Sequence, residues 1–414
     1  MTSFSIQNFG CRVNQAEAFS WAGDFETGGL RLEEDSTRAD VVVVNTCTLT
    51  SRADRDVRKF IRKISRLNPR AKLIIAGCAV NRLRPELEKI PQAWLVLSNE
   101  EKGDLTARVL KHVASAQEPI SQPWRSRALL KIQDGCSLRC TFCVIPSVRG
   151  RSRSDDRDTI LARAGQLVRQ GFKEIVLCGI HLSSYGHDLR PASSLLDLLR
   201  RLVEVEGMAW LRLSSLDPRF LDDEFLDFIS GSQKVCPHFH LSLQHGSDDI
   251  LRLMGRESCV SGYERILSRL RRNSPEASLG ADIIIGFPRE GQEDFQKTFA
   301  FLENSPLNYF HVFAYSPRPG TRAEGWPQVE ERLKRERSGL LRKLSEKKRL
   351  AFRVTFLGRD LDGIVIRKNG AGGEVLTSNY IDVHVPSGAT NPGEAVKVKI
   401  TRVESKQTWG EIAG

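Results

Sequence analysis

The run Gly135-Cys-Ser-Leu-Arg-Cys-Thr-Phe-Cys-Val-Ile-Pro146 sets Cys136, Cys140 and Cys143 at CxxxCxxC spacing. Three thiolates packed this closely can reach three irons of one cubane cluster, which ordinarily takes four Cys ligands. One iron then stays open to a small molecule, so such a cluster is a reaction site rather than only an electron relay. The competing reading is zinc, whose sites usually show paired CxxC halves and a fourth Cys or His close by. No such partner flanks this run, and its spacing favours the cluster.

The run directly follows Ala128 to Gln133, the first of six strand candidates that are each trailed by a helical pattern. The others are Glu174 to Cys178, Trp210 to Ser214, Phe239 to Leu243, Ala281 to Ile285 and Tyr309 to Phe313. Six such units make a partial barrel, short of the eight that close one, and the cysteine run falls on the face where barrels carry their chemistry. Gly179, Ser214, Gln244, Gly286 and Pro288 follow later strands and are candidates for lining a cofactor pocket. Turn chemistry alone also explains Gly and Pro there. His181 and His245 share the rim and read as hydrogen-bonded structural residues. Cys178, Cys236 and Cys259 lie outside any motif and read as packing.

Upstream, residues 1–115 alternate apolar strands (Phe4 to Phe9, Val41 to Val44, Leu73 to Ala76, Trp94 to Leu97) with helical patterns at Ala16 to Thr27, Ala53 to Leu67 and Leu105 to Ala114. That alternation predicts a doubly wound, largely parallel sheet covered on both faces. Cys11, Cys47 and Cys78 each close one of its strands. Ligand sites gather at the carboxyl ends of strands in such sheets, so the three can converge although far apart in sequence. A single cysteine there is usually packing; three in equivalent positions favour a second cluster.

Residues 116–125, with two prolines and no helical pattern, read as a linker, which makes 126–353 the barrel domain. A basic helical stretch at 328–353 ends it. From 354 to 414 short alternating runs are broken by turn signals such as Asn369-Gly370 and Asn391-Pro-Gly393, which predicts a small antiparallel β-barrel. Arg359, Arg367, Lys368, Lys397, Lys399, Arg402 and Lys406 make this barrel basic. Arg52, Arg55, Arg58, Lys59, Arg62 and Lys63 crowd one helix, and Arg149, Arg151 and Arg153 follow the cysteine run. With a net charge of +11, these groups suit an RNA backbone, and a solvated charged surface is the alternative. No stretch has the length of a membrane span and no signal peptide opens the chain. Nine cysteines without a secretory signal point to reduced thiols and a cytoplasmic setting.

Taken together, the chain resembles the methylthiotransferases of the radical S-adenosylmethionine (SAM) superfamily over essentially its full length. The resemblance rests on Gly10-Cys-Arg-Val-Asn14, Asn45-Thr-Cys-Thr48 and Gly77-Cys78 in the first domain. In the barrel it rests on Cys136 to Cys143 with Phe142 before the third cysteine, Arg149-Gly-Arg-Ser-Arg153, Leu213-Ser-Ser215, Asp217-Pro218 and Asp282 to Pro288. Lys131 to Cys136 is similar to the subgroup acting on threonylcarbamoyladenosine in tRNA. Two departures are Gln244-His245-Gly246 for the usual Gln-Ser-Gly and Cys178-Gly179 for Thr-Gly.

The resemblance implies an N-terminal doubly wound α/β domain, a partial (β/α)6 radical SAM barrel and a C-terminal TRAM β-barrel. It implies two [4Fe–4S] clusters, one on Cys136, Cys140 and Cys143, which binds SAM, and one on Cys11, Cys47 and Cys78, which holds or supplies sulfur. Phe142, Gly179, Ser214, Gln244, Gly286 and Pro288 are then expected around SAM. The implied partners are a tRNA anticodon stem-loop and an electron donor such as a flavodoxin or ferredoxin, and no side chain is assigned as a catalytic acid or base. Arg149, Arg151 and Arg212 are expected partners for the polar substituent of the base. Related readings are an enzyme acting on isopentenyladenosine in tRNA or on an aspartate of a ribosomal protein. A non-enzymatic iron–sulfur RNA-binding protein and a cobalamin-dependent methylase are rivals, and the Asp-x-His-x-x-Gly run expected of the latter is missing.

Overall fold

The computed structural model describes residues 2–113, 126–388 and 390–413, in two compact units. The expected linker at 116–125 lies outside the described residues. The first unit joins the N-terminal domain to two later segments, 134–152 and 316–324. Its five strands, β1 (Ser3–Asn8), β2 (Arg31–Leu32), β3 (Val41–Thr46), β4 (Lys72–Gly77) and β5 (Ala93–Leu97), form a parallel sheet in the order β2-β1-β3-β4-β5.

Strand β3 explains why an unbroken valine run belongs at the centre. Val41 and Val43 pack with Trp21, Phe25 and Val109, whereas Val42 and Val44 pack with Val57, Ile61 and Val80 on the other side. A strand buried on both faces needs apolar residues at every position. The helices α1 (Arg12–Thr27), α2 (Ser51–Leu67), α3 (Val80–Leu87) and α4 (Leu105–Val113) supply those covers. Helix α2 starts where Thr50 caps the Ala53 N–H. The sequence pattern missed β2, which is only two residues long, and α3, which carries Pro85 within it.

In segment 134–152 lies the short helix α5 (Ile145–Arg149). The second unit holds β6 (Ala128–Asp134, up to Gln133), β7 (Arg153–Ser154), β8 (Glu174–Gly179) and β9 (Trp210–Leu213) in one sheet, and β10 (His238–Gln244), β11 (Ser278–Ile285) and β12 (Tyr309–Ala314) in another. Bridges Leu211–Val235 and Leu216–Leu241 continue the parallel run from β9 to β10, which yields the six-stranded partial barrel. The helix at Glu331–Val354 leads to a closed barrel of β13 (Asp360–Asn369), β14 (Gly372–Thr377), β15 (Asp382–Val385), β16 (Ala395–Val403) and β17 (Thr408–Ile412). Its pairs are antiparallel except for the closing β15–β17 pair, which is parallel.

Arg212, expected at the pocket rim, is instead buried in β9. Its Nε and Nη2 donate to Glu174 at 2.7 and 3.0 Å, and its remaining donors reach the carbonyls of Ser378 and Thr377 in the C-terminal barrel. Tyr380, at φ +69°, stacks on His238 with ring centres 4.0 Å apart. A non-glycine residue rarely adopts that backbone conformation, and here it brings the ring against both His238 and Arg212. No helix among the described residues is long and apolar enough to cross a membrane.

Candidate functional site

Cys11, Cys47 and Cys78 each occupy the link between a strand end and a helix: β1 to α1, β3 to α2 and β4 to α3. Helix N-termini carry partial positive charge and free N–H groups, so this placement suits anionic thiolates. Gly10 allows the close approach: at φ +107°, a Cβ there would lie 2.7 Å from the Cys47 Cβ and 2.8 Å from its Sγ. Burial pushes the Cys47 thiol up to about 12 and raises Cys11 as well. The charges of all three cysteines act on one another, as those of near neighbours do.

A buried polar network ties this trio to the CxxxCxxC loop. Arg149, with no side-chain exposure, donates from Nε to the Cys78 Sγ at 3.2 Å and from Nη2 to the Asn14 Oδ1 at 2.6 Å. Its Nη1 reaches Glu17 at 3.1 Å and Asp134 at 2.8 Å. Asn14 also accepts from the Cys11 Sγ at 3.4 Å. Lys102 bridges Glu17 and Asn99, and Asn99 donates to the Val148 carbonyl at 2.6 Å and to the Cys78 Sγ at 3.4 Å. Burial alone would lower the Arg149 pKa, yet Glu17, Cys78 and Asp134 more than offset this and hold it well above the ordinary value. Lys102 is lowered by its burial despite Glu17. Arg149 is therefore a fixed cation at the N-terminal trio, not the RNA or substrate contact expected from sequence.

Cys136, Cys140 and Cys143 are partly exposed on a loop with a defined backbone. The Cys136 N–H donates to the Gly150 carbonyl, and the Cys143 N–H to the Cys140 carbonyl, both at 3.1 Å. Gly135 turns the chain at φ +70°, and a Cβ there would lie 2.0 Å from the Arg151 carbonyl oxygen, so no other residue fits. The Ala323 N–H donates to the Thr141 carbonyl, which ties segment 316–324 to the loop. In that segment Arg318 is buried and donates to Asp54 at 2.6 Å and Thr48 at 2.7 Å, next to Cys47.

Among the described residues, the one set of three His, Cys, Asp or Glu side chains whose ligand atoms lie within 4.8 Å of one another is His240, Asp282 and His311.

The expected SAM residues sit at strand ends of the second unit, with Phe142 in the first. The Ser214 hydroxyl is buried without a hydrogen-bond partner, the sort of group a bound cofactor satisfies. Gln244 takes φ +78° at an irregularity in β10. Neither glycine has room for a side chain: a Cβ on Gly179 would lie 3.0 Å from the Gln133 Oε1, and one on Gly286 2.3 Å from the Lys334 Cγ. Pro288 is buried. His181 bonds Asp217 at 3.1 Å and His245 approaches Glu290 at 3.3 Å, so a carboxylate faces each ring. Cys178 and Cys236 are buried, but Cys259 is exposed and so is not packing. Glu17, Lys102 and Arg318 escaped the sequence reading, because a buried charged residue looks like a surface one until its partners are known.

The partial barrel and its open-loop cysteine trio define a radical SAM protein, and the radical SAM superfamily matches residues 130–302. An uncharacterised protein family, UPF0004, matches residues 3–98. The threonylcarbamoyladenosine tRNA methylthiotransferase MtaB of Aquifex aeolicus is 38% identical, over 96% of this chain and 99% of that protein. The protein of the same name from Bacillus subtilis is 31% identical, over 100% and 96%. The chain belongs to the radical SAM methylthiotransferases. It is an enzyme whose cofactors are [4Fe–4S] clusters and SAM. In solved structures, the radical SAM methyltransferase TsrM of Kitasatospora setae shares the fold at TM-score 0.57 and 14% identity, over 78% of this chain and 77% of that one.

Proposed function

We propose that this enzyme inserts a methylthio group at carbon 2 of threonylcarbamoyladenosine in tRNA, at the base just 3′ of the anticodon. The observation that carries the reading is the match, over nearly the full chain, to relatives named for that activity. Carbon 2 of adenine is shielded in a stacked helix, so the target must be an unstacked loop base.

Cys136, Cys140 and Cys143 would hold the cluster that binds SAM, and Cys11, Cys47 and Cys78 the second cluster. When bound, clusters and SAM supply the radical chemistry and the sulfur, while the protein orients them and excludes water. Arg149 and the helix N-termini would offset negative charge at the N-terminal trio. Phe142, Ser214, Gln244, Gly179, Gly286 and Pro288 remain the proposed surroundings of SAM. Domain limits of 1–115, 126–353 and 354–414, an anticodon stem-loop partner, a flavodoxin- or ferredoxin-type electron donor and a cytoplasmic setting complete the reading.

Nucleoside mass spectrometry of a deletion strain tests it. 2-Methylthio-threonylcarbamoyladenosine should vanish while 2-methylthio-isopentenyladenosine persists. Loss of the isopentenyl product instead would overturn the substrate.

A further inference from the structure

His240, Asp282 and His311 stand on three adjacent strands, β10, β11 and β12, of the second unit. Alternation along each strand sends Leu241, Ile283 and Phe310 to one buried face and these three to the other. Asp282 and His311 are direct partners across the β11–β12 pair. His240 Nε2 lies 3.5 Å and His311 Nδ1 lies 3.3 Å from the same oxygen, Asp282 Oδ1. Gly280, opposite His240, makes room for the Tyr309 ring, since a Cβ there would lie 2.2 Å from it.

Those separations are long for hydrogen bonds between imidazole and carboxylate, which close to about 2.7–2.9 Å when charge-assisted. They approach the spacing of donors sharing one ion: N and O ligands about 2.1 Å from a metal stand roughly 3.0–3.4 Å apart at octahedral or tetrahedral angles, a range that holds the 3.3 Å pair and that the 3.5 Å pair exceeds slightly. The rear of the site is prepared in the same sense. Ser215 Oγ lies 2.8 Å from the His240 Nδ1, and it fixes the ring that presents Nε2 to Asp282. Metal-binding histidines characteristically engage their other nitrogen in this way. The His311 side chain is 59% exposed, which leaves the outer side of the cluster open to further ligands.

We propose that His240, Asp282 and His311 form a third metal site, for a first-row divalent ion, independent of both cysteine trios. Two imidazoles and one carboxylate select such an ion over calcium or magnesium and leave coordination positions vacant for oxygen donors. The strands fix the ligands without help from a mobile loop.

The probe is Mn2+, which prefers N and O ligands to thiolates. The holoenzyme, with its clusters in the diamagnetic oxidised state and loose ions removed, is titrated while free Mn2+ is read by electron paramagnetic resonance. A single site per chain with nitrogen hyperfine coupling is expected. Its affinity should fall about 100-fold or more in His311→Ala and in Asp282→Asn, and about 10-fold in Ser215→Ala. Exposed His311 can be truncated without opening the core, and unchanged iron content and circular dichroism verify that. Absence of Mn2+ binding in the wild type, absence of nitrogen coupling, or an affinity unchanged in His311→Ala or Asp282→Asn would overturn the proposal.

Discussion

Replacing Arg212 by methionine tests the join between the partial barrel and the C-terminal barrel. Arg212 is the main partner of buried Glu174, and it holds two carbonyls of the C-terminal barrel. Removing one member of a buried pair costs about 3–5 kcal/mol, because the other charge stays behind in the interior. Arg127 still reaches Glu174 at 3.1 Å, so the lower end, about 3 kcal/mol, is expected. That is roughly a hundredfold in the equilibrium between closed and open forms. Hydrogen exchange at the Thr377–Tyr380 amides should accelerate by up to that factor. Urea unfolding followed by tryptophan fluorescence should shift to a lower midpoint, with Trp210 and Trp409 as reporters on the two sides of the join.

The pH dependence has a definite sign. Burial by itself raises the Glu174 pKa, and the charges and hydrogen bonds of Arg212, then Arg127, outweigh it and hold the carboxyl below its usual value. In the wild type this stabilisation is present above the unfolded pKa, about 4.3. It is lost as pH falls through the depressed folded pKa. In Arg212→Met the carboxyl can take up a proton and shed its buried charge, so the gap between variant and wild type should narrow below about pH 4. Arg212→Met with Glu174→Leu should recover most of the lost stability, since a well-packed apolar pair often replaces a buried ion pair at little cost. Exchange and midpoint unchanged in the single variant would refute the reasoning.

Anaerobic reconstitution should yield about eight irons per chain; Cys140→Ala and Cys47→Ala should each lose half, and only the first should abolish SAM cleavage. Wild-type iron near four would refute two clusters. The groove between β1 and α2, about 700 Å³ and lined by Phe9, Phe60, Lys59, Arg62, Lys63 and Arg66, should contact RNA phosphates. Changing Lys59, Arg62 and Lys63 to Gln should weaken tRNA binding and flatten its log–log salt dependence by about one unit per lost contact. Lys397 and Lys399 alternate with buried Val398 and Ile400 on β16, and Lys397→Gln/Lys399→Gln should likewise reduce affinity while iron content stays constant. Asp217, bound by Arg219, His181 and Arg256, is held far below the usual carboxylate range against its burial. Its stabilisation should persist down to about pH 4 and vanish as pH falls further, and Asp217→Asn should remove that acid-dependent limb in thermal scans.

Much of the molecule could be read without coordinates because periodicity and spacing are local. The unbroken run Val41 to Val44 announced a strand buried on both faces, and Cys136, Cys140 and Cys143 announced an open cluster from spacing alone. Cys11, Cys47 and Cys78 could be grouped because a parallel sheet lines up its strand ends, which turns equivalent sequence positions into neighbours. The roles of the arginines could not be read. Arg149 and Arg212 look like surface cations beside Arg151 and Lys234, yet each is buried against carboxylates contributed by distant strands and helices. His240, Asp282 and His311 carry no spacing signature because they come from three strands, and only the register between those strands brings their donors together. A pattern along the chain records which face of an element is apolar. Which charge is paired in the interior depends on contacts between segments a hundred residues apart, and those exist only once the chain has folded.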